Sequence, residues 1–124
     1  MRYAILILSI SAPLWCQPKL PSPWWVHASV VAHAMAAAQD GLSSWKQGEG
    51  NGLYADASGP QRGHFYRTGA ARLAGITFDI VAISEGLGAL KPKWRKYIAA
   101  LNFGAAAAHV GVTASNVIRN PHYR

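Results

Sequence analysis

The side chains best suited to chemistry are two histidines and two aspartates inside long apolar stretches: His33, Asp40, Asp79 and His109. Two imidazoles and two carboxylates form a ligand set that zinc accepts, and histidine can exchange protons near neutral pH. No HxxxH or ExxH spacing joins them, so they would have to meet from three separate helices, as ligands do in bundle-core metal sites. A divalent metal site, or a proton relay through His33, Asp79 and His109, is therefore an alternative to a purely structural role without a cofactor.

Polar residues follow one line along each predicted helix. They are His33 and Asp40 in the first helix, Arg72 and Asp79 in the second, and Asn102, His109 and Asn116 in the third. Residues seven apart lie near one face of a helix, and polar groups within hydrocarbon normally turn toward the interior of a helix bundle. We therefore expect a polar seam in which interhelical hydrogen bonds hold the three helices in register.

No arrangement typical of an enzyme accompanies these residues. Ser43 and Ser44 lie close to Asp40, but no G-x-S-x-G sequence surrounds them. Asp79 and Glu85 are six residues apart, so on a helix they do not share a face as a paired acid and base would. The sequence favours a structural or accessory protein over an enzyme.

Tryptophans bracket the first apolar segment and indicate a membrane. Trp25 and Trp45 are twenty residues apart, a separation that a helix covers in roughly 30 Å, the thickness of a bilayer's hydrocarbon core. Tryptophan is enriched at both membrane interfaces. Hydrophobic residues make up 51% of the chain and charged residues only 14%, against about 25% charged in typical soluble domains. We expect a small integral membrane protein.

The pattern of apolar segments predicts an all-α fold, a small three-helix membrane bundle made of one helix plus a helical hairpin. The helices are expected at residues 23–44, 68–90 and 93–118, within one domain at 23–118, and a flexible polar loop at 46–66 joins the first two. Before them come an apolar signal peptide or anchor at 1–16 and a Pro-rich linker at 17–22. A basic tail follows at 119–124.

The net charge of +7 is concentrated at the edges of the apolar segments. One cluster occupies the predicted hairpin turn, namely Lys91, Lys93, Arg95 and Lys96. Basic residues in this position favour anionic lipid headgroups over nucleic acid. The positive-inside rule places the hairpin turn in the cytoplasm, whereas a cleaved signal peptide places residue 17 outside. The inner membrane is the expected location, and a soluble periplasmic helical domain is the alternative that removes this conflict.

Small residues form a second stripe on the hairpin. They are Gly75 and Gly86 in the second helix, and Gly104, Ala108, Gly111 and Ser115 in the third. Small residues three or four apart let two helices approach closely. They predict close packing of the second helix on the third, with a homodimer or a larger membrane complex as the competing use.

Two short motifs carry a resemblance to other proteins. Asp40 is followed by Ser43 and Ser44 late in the first helix, and Glu49 and Asn51 follow in the loop. In this order of features, across residues 30–118, the chain resembles a set of small bacterial multi-spanning membrane proteins of uncharacterised function. Gly52 stands where a proline often follows the asparagine. The resemblance implies a multi-spanning arrangement and implies no activity.

Overall fold

The computed structural model describes residues 23–49, 52–57 and 59–119. Three helices make up the fold: α1 at Trp24–Ser44, α2 at Arg67–Leu90 and α3 at Arg95–Arg119. Two short 3-10 turns lie at Gly59–Gln61 and Pro92–Trp94. The predicted all-α three-helix bundle is confirmed. The predicted signal segment at 1–16, the linker at 17–22 and the tail after residue 119 lie outside the described residues.

The turn between α2 and α3 follows from one proline. The residue before a proline is disfavoured in the helical region, and Lys91 accordingly leaves it, with φ −129° and ψ 79°. The amide of Lys91 still closes the last turn of α2 on the carbonyl of Leu87 at 2.8 Å. Pro92 then opens the 3-10 turn that leads directly into α3, so the two helices form a hairpin.

The first helix lies at the centre of the bundle. Its largest interface is with α3, it has a smaller interface with α2, and α2 meets α3 mainly near their connecting turn. Residues 33 and 40 of α1 pair with residues 102 and 109 of α3, so these helices run parallel. His27 of α1 pairs with Glu85, near the end of α2, so α1 and α2 run antiparallel.

Close packing of α2 on α3 through small residues is not what the structure shows. A Cβ atom added to Gly75, Gly104 or Gly111 would meet no heavy atom within 4 Å. Gly86 is buried near the hairpin turn and Ser115 is half-buried, whereas Ala108 is exposed. The stripe is thus mostly open because α3 turns its polar line, rather than its small residues, toward its main neighbour. Its use in a homodimer stays a prediction.

The connection between α1 and α2 is held by backbone hydrogen bonds, contrary to the expected flexible loop. The Lys46 amide donates to the Phe65 carbonyl and the Phe65 amide donates to the Gln47 carbonyl, both at 2.9 Å. The Glu49 amide donates to the Gly63 carbonyl at 2.8 Å. The two ends of the connection therefore run side by side, and they hold the Phe65 side chain in the core with 2% of its surface exposed.

Large apolar side chains cover the outside of the bundle. Among those more than half exposed are Trp24, Val31, Met35, Leu42, Phe78, Tyr97, Leu101, Val110 and Ile118. Helix α2, and the segment Pro92–Arg119 that contains α3, are each long enough and apolar enough to cross a membrane. Within the most apolar windows of these two helices, only 28% and 22% of the residues are buried. Helix α1 has the required length but is not among the spans apolar enough to qualify.

Candidate functional site

The first layer of polar contacts joins α1 to the hairpin through Asn102. Its amide nitrogen donates to Ser84 Oγ at 3.0 Å and to the Ile98 carbonyl at 2.9 Å. With both donors used, its Oδ1 is an acceptor, and it lies 2.9 Å from His33 Nδ1. His33 Nδ1 must therefore carry the proton of that bond. Both residues are buried, at 2% exposed for His33 and 1% for Asn102.

The second layer lies two helical turns further along the same two helices. His109 Nδ1 is 2.7 Å from Asp40 Oδ2, and the Ser44 hydroxyl donates to Asp40 Oδ1 at 3.1 Å. The side chains of Asp40 and His109 are only 13% and 18% exposed. A carboxylate only accepts hydrogen bonds, so in this pairing the proton lies on His109 Nδ1 and both oxygens of Asp40 are used.

A third layer closes the end of the interface near the loop. The Asn116 amide nitrogen donates to Ser44 Oγ at 2.9 Å and to Ser43 Oγ at 3.1 Å. The Ser43 hydroxyl donates in turn to the backbone carbonyl of Asp40 at 3.0 Å. Both serines are buried. Asn116 gives their hydroxyl oxygens a hydrogen-bond donor, as buried polar groups require.

The first two layers are linked by a ring contact. The imidazoles of His33 and His109 stack with centroids 5.6 Å apart and an interplanar angle of 23°. Together the three layers form a continuous polar seam, which consists of Ser84, Asn102, His33, His109, Asp40, Ser43, Ser44 and Asn116. The seam connects α1 to α3 through residues that are 69 or more positions apart in the chain.

Two residues expected in the seam lie outside it. Arg72 is exposed, and its guanidinium donates to the carbonyl of Leu53 in the loop at 3.0 Å. Asp79 is half-buried on α2 and has no hydrogen bond or ion pair with another described residue. The turn of α2 that faces the seam is instead the one that carries Ser84.

The four residues predicted as metal ligands do not meet at one centre. His33 pairs with Asn102, His109 pairs with Asp40, and Asp79 contacts neither pair. Within the part of the chain that the structure describes, no group of three or more His, Cys, Asp or Glu residues is placed to hold a metal ion. The polar lines of α1 and α3 face each other, whereas the line through Arg72 and Asp79 does not, and this separates the expected ligands.

The sequence pattern does not predict Ser84, Ser43 or Ser44 as members of the seam. It presents Ser43 and Ser44 only as hydroxyls near Asp40 that lack the G-x-S-x-G setting of a nucleophile. The two serines follow Asp40 by three and four residues, the spacing of neighbours on one helix face. Extending the line through His33 and Asp40 by one turn would have found them. Ser84 gives no such signal, since it is a single hydroxyl in the last third of α2 and does not continue the line through Arg72 and Asp79.

The pKa of Tyr54, in the loop, depends on its distance from the loop end of the seam. Its partial burial, together with the negative charges of Asp40 and Glu49, raises the pKa of the phenol above its ordinary value. Each of these factors disfavours the charged phenolate. The loop thus lies close enough to Asp40 for the two to interact electrostatically.

A neighbouring face of α1 borders a groove that contrasts with the seam. The groove lies between α1 and α2 at the loop end, has a volume of about 640 Å³, and is lined almost entirely by apolar side chains. Ala34, Ala37, Ala38 and Gly41 line it from α1, and Trp45 and Phe65 lie at its loop end. None of the seam residues borders it. Two neighbouring faces of α1 therefore differ: one borders the closed polar seam, and the other borders an open apolar groove.

No protein-family model, curated protein or solved structure matches the chain.

Proposed function

We propose that the chain is a small integral membrane protein with a structural or accessory role, in which the α2–α3 hairpin crosses the bilayer and the polar seam holds α1 against it. One observation carries the proposal: the helices bury Ser29, His33, Ser84 and Asn102 while many of their largest apolar side chains are exposed. A protein folded in water shows the opposite tendency. Lipid favours this distribution because polar groups need partners there and apolar ones do not.

The ends of the bundle support a membrane-spanning orientation. Trp24, Trp94 and Tyr97 lie at the hairpin end, where the Trp94 and Tyr97 rings meet edge to face. The rings of Trp45 and Tyr66 meet at the loop end at an angle of 56°, with centroids 5.7 Å apart. The 21 residues of α1 between these ends cover roughly 30 Å. Aromatic belts at this separation match the two interfaces of a bilayer.

The charge at the hairpin end fits the same orientation. Lys91, Lys93 and Lys96 are exposed next to the exposed Trp94, and the Lys96 ammonium lies 5.0 Å from the Tyr97 ring centre. Basic residues beside an aromatic belt attract anionic lipid headgroups, at about 1 kcal/mol for each basic residue near the surface. We propose lipid headgroups as the partners of this cluster.

Carbonate extraction tests the membrane proposal. Membranes from cells that produce the full chain are washed at alkaline pH, and the chain is followed by immunoblot in the pellet and the supernatant. An integral protein stays in the pellet and is released only by detergent. Recovery in the aqueous fraction without detergent would contradict the proposal and support the soluble periplasmic alternative.

A proton relay is the second candidate, and the seam supplies the observation that favours it. Asp40 and His109 form a carboxylate–imidazole pair at 2.7 Å, and the second imidazole of His33 stacks on the first. No described residue bonds to Nε2 of either ring. The relay would thus use Asp40 in place of the predicted Asp79.

Proteoliposomes test the relay directly. Vesicles that contain the purified chain and a trapped pH-sensitive dye are subjected to an external acid step. A relay predicts faster internal acidification than in empty vesicles, and it predicts loss of the effect in His109→Gln and Asp40→Asn. Equal rates in empty vesicles, in vesicles with the parent chain and in vesicles with either variant would contradict the relay. The structural role would then be the remaining proposal.

A further inference from the structure

The apolar groove between α1 and α2 is not explained by the seam. Many of its lining side chains are no larger than a methyl group, namely those of Ala34, Ala37, Ala38 and Gly41 on α1 and of Ala70 and Ala74 on α2. A Cβ atom on Gly41 would lie 3.3 Å from Leu73 Cδ2, so the two helices touch at the floor. The groove is therefore an open furrow that is deep because its residues are small, while its base is closed.

The groove has the size and chemistry of a site for an apolar ligand. Its volume of about 640 Å³ falls within the range of roughly 300–1,000 Å³ typical of small-molecule sites. Thr77 contributes the single aliphatic hydroxyl among the lining residues. Leu42 and Phe78, 75% and 62% exposed, form its rim. A flexible hydrocarbon chain can enter a furrow of this kind.

Basic residues mark the end of the groove at the membrane interface. Trp45 borders the groove and its ring packs against Tyr66. The next residues in the chain are Lys46 and Arg67, both exposed. Between residues 45 and 72 there are four basic residues (Lys46, Arg62, Arg67 and Arg72) and two acidic ones (Glu49 and Asp56), which leaves a net charge of +2. An apolar furrow thus runs into a positively charged aromatic end.

We propose that this groove binds one acyl chain of an anionic phospholipid, with the phosphate at Lys46 and Arg67. The proposal rests on the membrane location proposed above. The acyl chain fills the space beside Ala38 and Ala74, and the headgroup lies level with Trp45 and Tyr66. The site is separate from the basic cluster at the hairpin turn, which lies at the other end of the bundle.

Quenching of Trp45 fluorescence by brominated lipid tests the proposal. The full chain with its other tryptophans replaced (Trp15, Trp24, Trp25 and Trp94→Phe) is reconstituted in phosphatidylcholine bilayers. Small equal fractions of dibrominated phosphatidylglycerol or dibrominated phosphatidylcholine are then added. We expect the anionic lipid to bind about fivefold more tightly for each basic residue that it contacts. Equal quenching by the two lipids would overturn the proposal.

Two sets of variants test the contact with the acyl chain and the contact with the headgroup separately. In the same single-tryptophan background, Ala74→Phe fills the groove and should abolish the preference, while Ala107→Phe makes the same change on the exposed surface of α3 and should retain it. Lys46→Gln combined with Arg67→Gln should leave equal quenching by both lipids. If Ala74→Phe reduces the helical circular dichroism, Ala38→Phe fills the groove from α1 instead. Retained preference in a folded, groove-filled variant would contradict the proposal.

Carbonate extraction and the quenching assay together distinguish a failure of the lipid-site proposal from a failure of the membrane proposal. A chain that resists carbonate extraction but shows no lipid preference is a membrane protein without this lipid site. A chain released by carbonate refutes both proposals. If nanodiscs contain two chains, and Ala74→Phe returns them to one, the groove binds a second copy and the lipid proposal is wrong.

Discussion

Helix α1 has two faces that meet their neighbours in opposite ways. Toward α3 it presents His33, Asp40 and Ser44, which form hydrogen bonds of 2.7–2.9 Å with side chains of that helix. Toward α2, near the loop, it presents alanines and Gly41, and an open groove remains. The closed interface is the polar one.

This contrast is expected if lipid surrounds the bundle, as proposed above. In water, apolar faces would drive helices together. In lipid the acyl chains are as apolar as leucine, so close contacts and interhelical hydrogen bonds decide which faces meet. The seam therefore determines how α1 lies on α3, while an alanine-lined face gains little by closing against α2. Substitutions on the two sides of α1 should then have unequal effects.

The largest effect is expected at the contact that closes the loop end of the groove. A Cβ atom on Gly69, at the start of α2, would overlap the backbone carbonyl of Tyr54 and lie 3.0 Å from Phe65 Cδ2. Backbone cannot move aside as a flexible side chain can, so Gly69→Ala should destabilise the fold by about 3 kcal/mol. Chemical unfolding in detergent, followed by circular dichroism, measures this change.

Gly75→Ala is the matched control on the same helix. A Cβ atom there meets nothing within 4 Å, and alanine favours a helix over glycine by about 1 kcal/mol. The variant should equal or exceed the parent in stability. Equal losses in Gly69→Ala and Gly75→Ala would show that the loop does not pack on α2 as described.

The next largest effect should come from the buried amide at the centre of the seam. Asn102→Leu removes the partner of His33 Nδ1 and of Ser84 Oγ. Each polar group left without a partner costs about 1–3 kcal/mol in a buried site, although membrane reference states reduce such costs to about 0.6 kcal/mol on average. We expect a loss of about 2 kcal/mol in the same unfolding measurement.

Phe103→Leu supplies the comparison for that result. Phe103 is adjacent in the chain but 48% exposed, so its replacement should change stability by less than about 0.5 kcal/mol. If Asn102→Leu does not change the free energy of unfolding, apolar packing alone holds α1 against α3. The distinction between the two faces of α1 would then disappear.

The sequence predicts the seam on α1 and α3 better than it predicts the packing of α2. The seven-residue repeats through His33 and Asp40, and through Asn102, His109 and Asn116, are periodic signals that mark one face of each helix. Asp79 follows the same rule yet has no described partner. Periodicity identifies a face but does not say which helix it meets. That depends on the rotation of α2 about its axis, which is set by contacts distant in sequence, such as those of Glu85 with His27 and of Leu73 with Gly41.

The groove gives no signal in the sequence for a related reason. Its alanines are individually unremarkable, since alanine is common in helices of every environment. They become a groove only because α1 lies beside α2 with Gly41 against Leu73. The loop is similar. Its glycines predict turns, whereas the backbone pairing of Lys46 and Gln47 with Phe65 is a long-range contact that composition does not reveal.

A smaller effect links the loop to the seam through Tyr54. Burial, Asp40 and Glu49 raise the pKa of this phenol above its usual value near 10. The stabilisation from the neutral phenol is complete below pH 10 or so, and it is lost as the pH rises through the raised folded-state pKa. Removing either negative charge, in Asp40→Asn or Glu49→Gln, should lower the pKa toward the ordinary value.

Phenolate absorbance during an alkaline titration measures this shift, with each protein compared against its Tyr54→Phe counterpart to isolate one tyrosine. Glu49→Gln is the more informative variant, because it leaves the seam's Asp40–His109 bond intact. An unchanged titration in both variants would mean that the loop does not lie near the seam.

The smallest effect should come from replacing an alanine of the groove by leucine, and its size is informative only beside the same replacement at a buried alanine next to the seam. Ala38→Leu adds apolar atoms where open space exists, so stability should change by less than about 0.5 kcal/mol. Ala106→Leu adds the same atoms at a position 8% exposed, one turn from Asn102 on α3. There overpacking should cost about 1–3 kcal/mol. If the two variants lose equal stability, both sides of α1 are closed, and the groove does not persist when the chain is embedded in lipid or detergent.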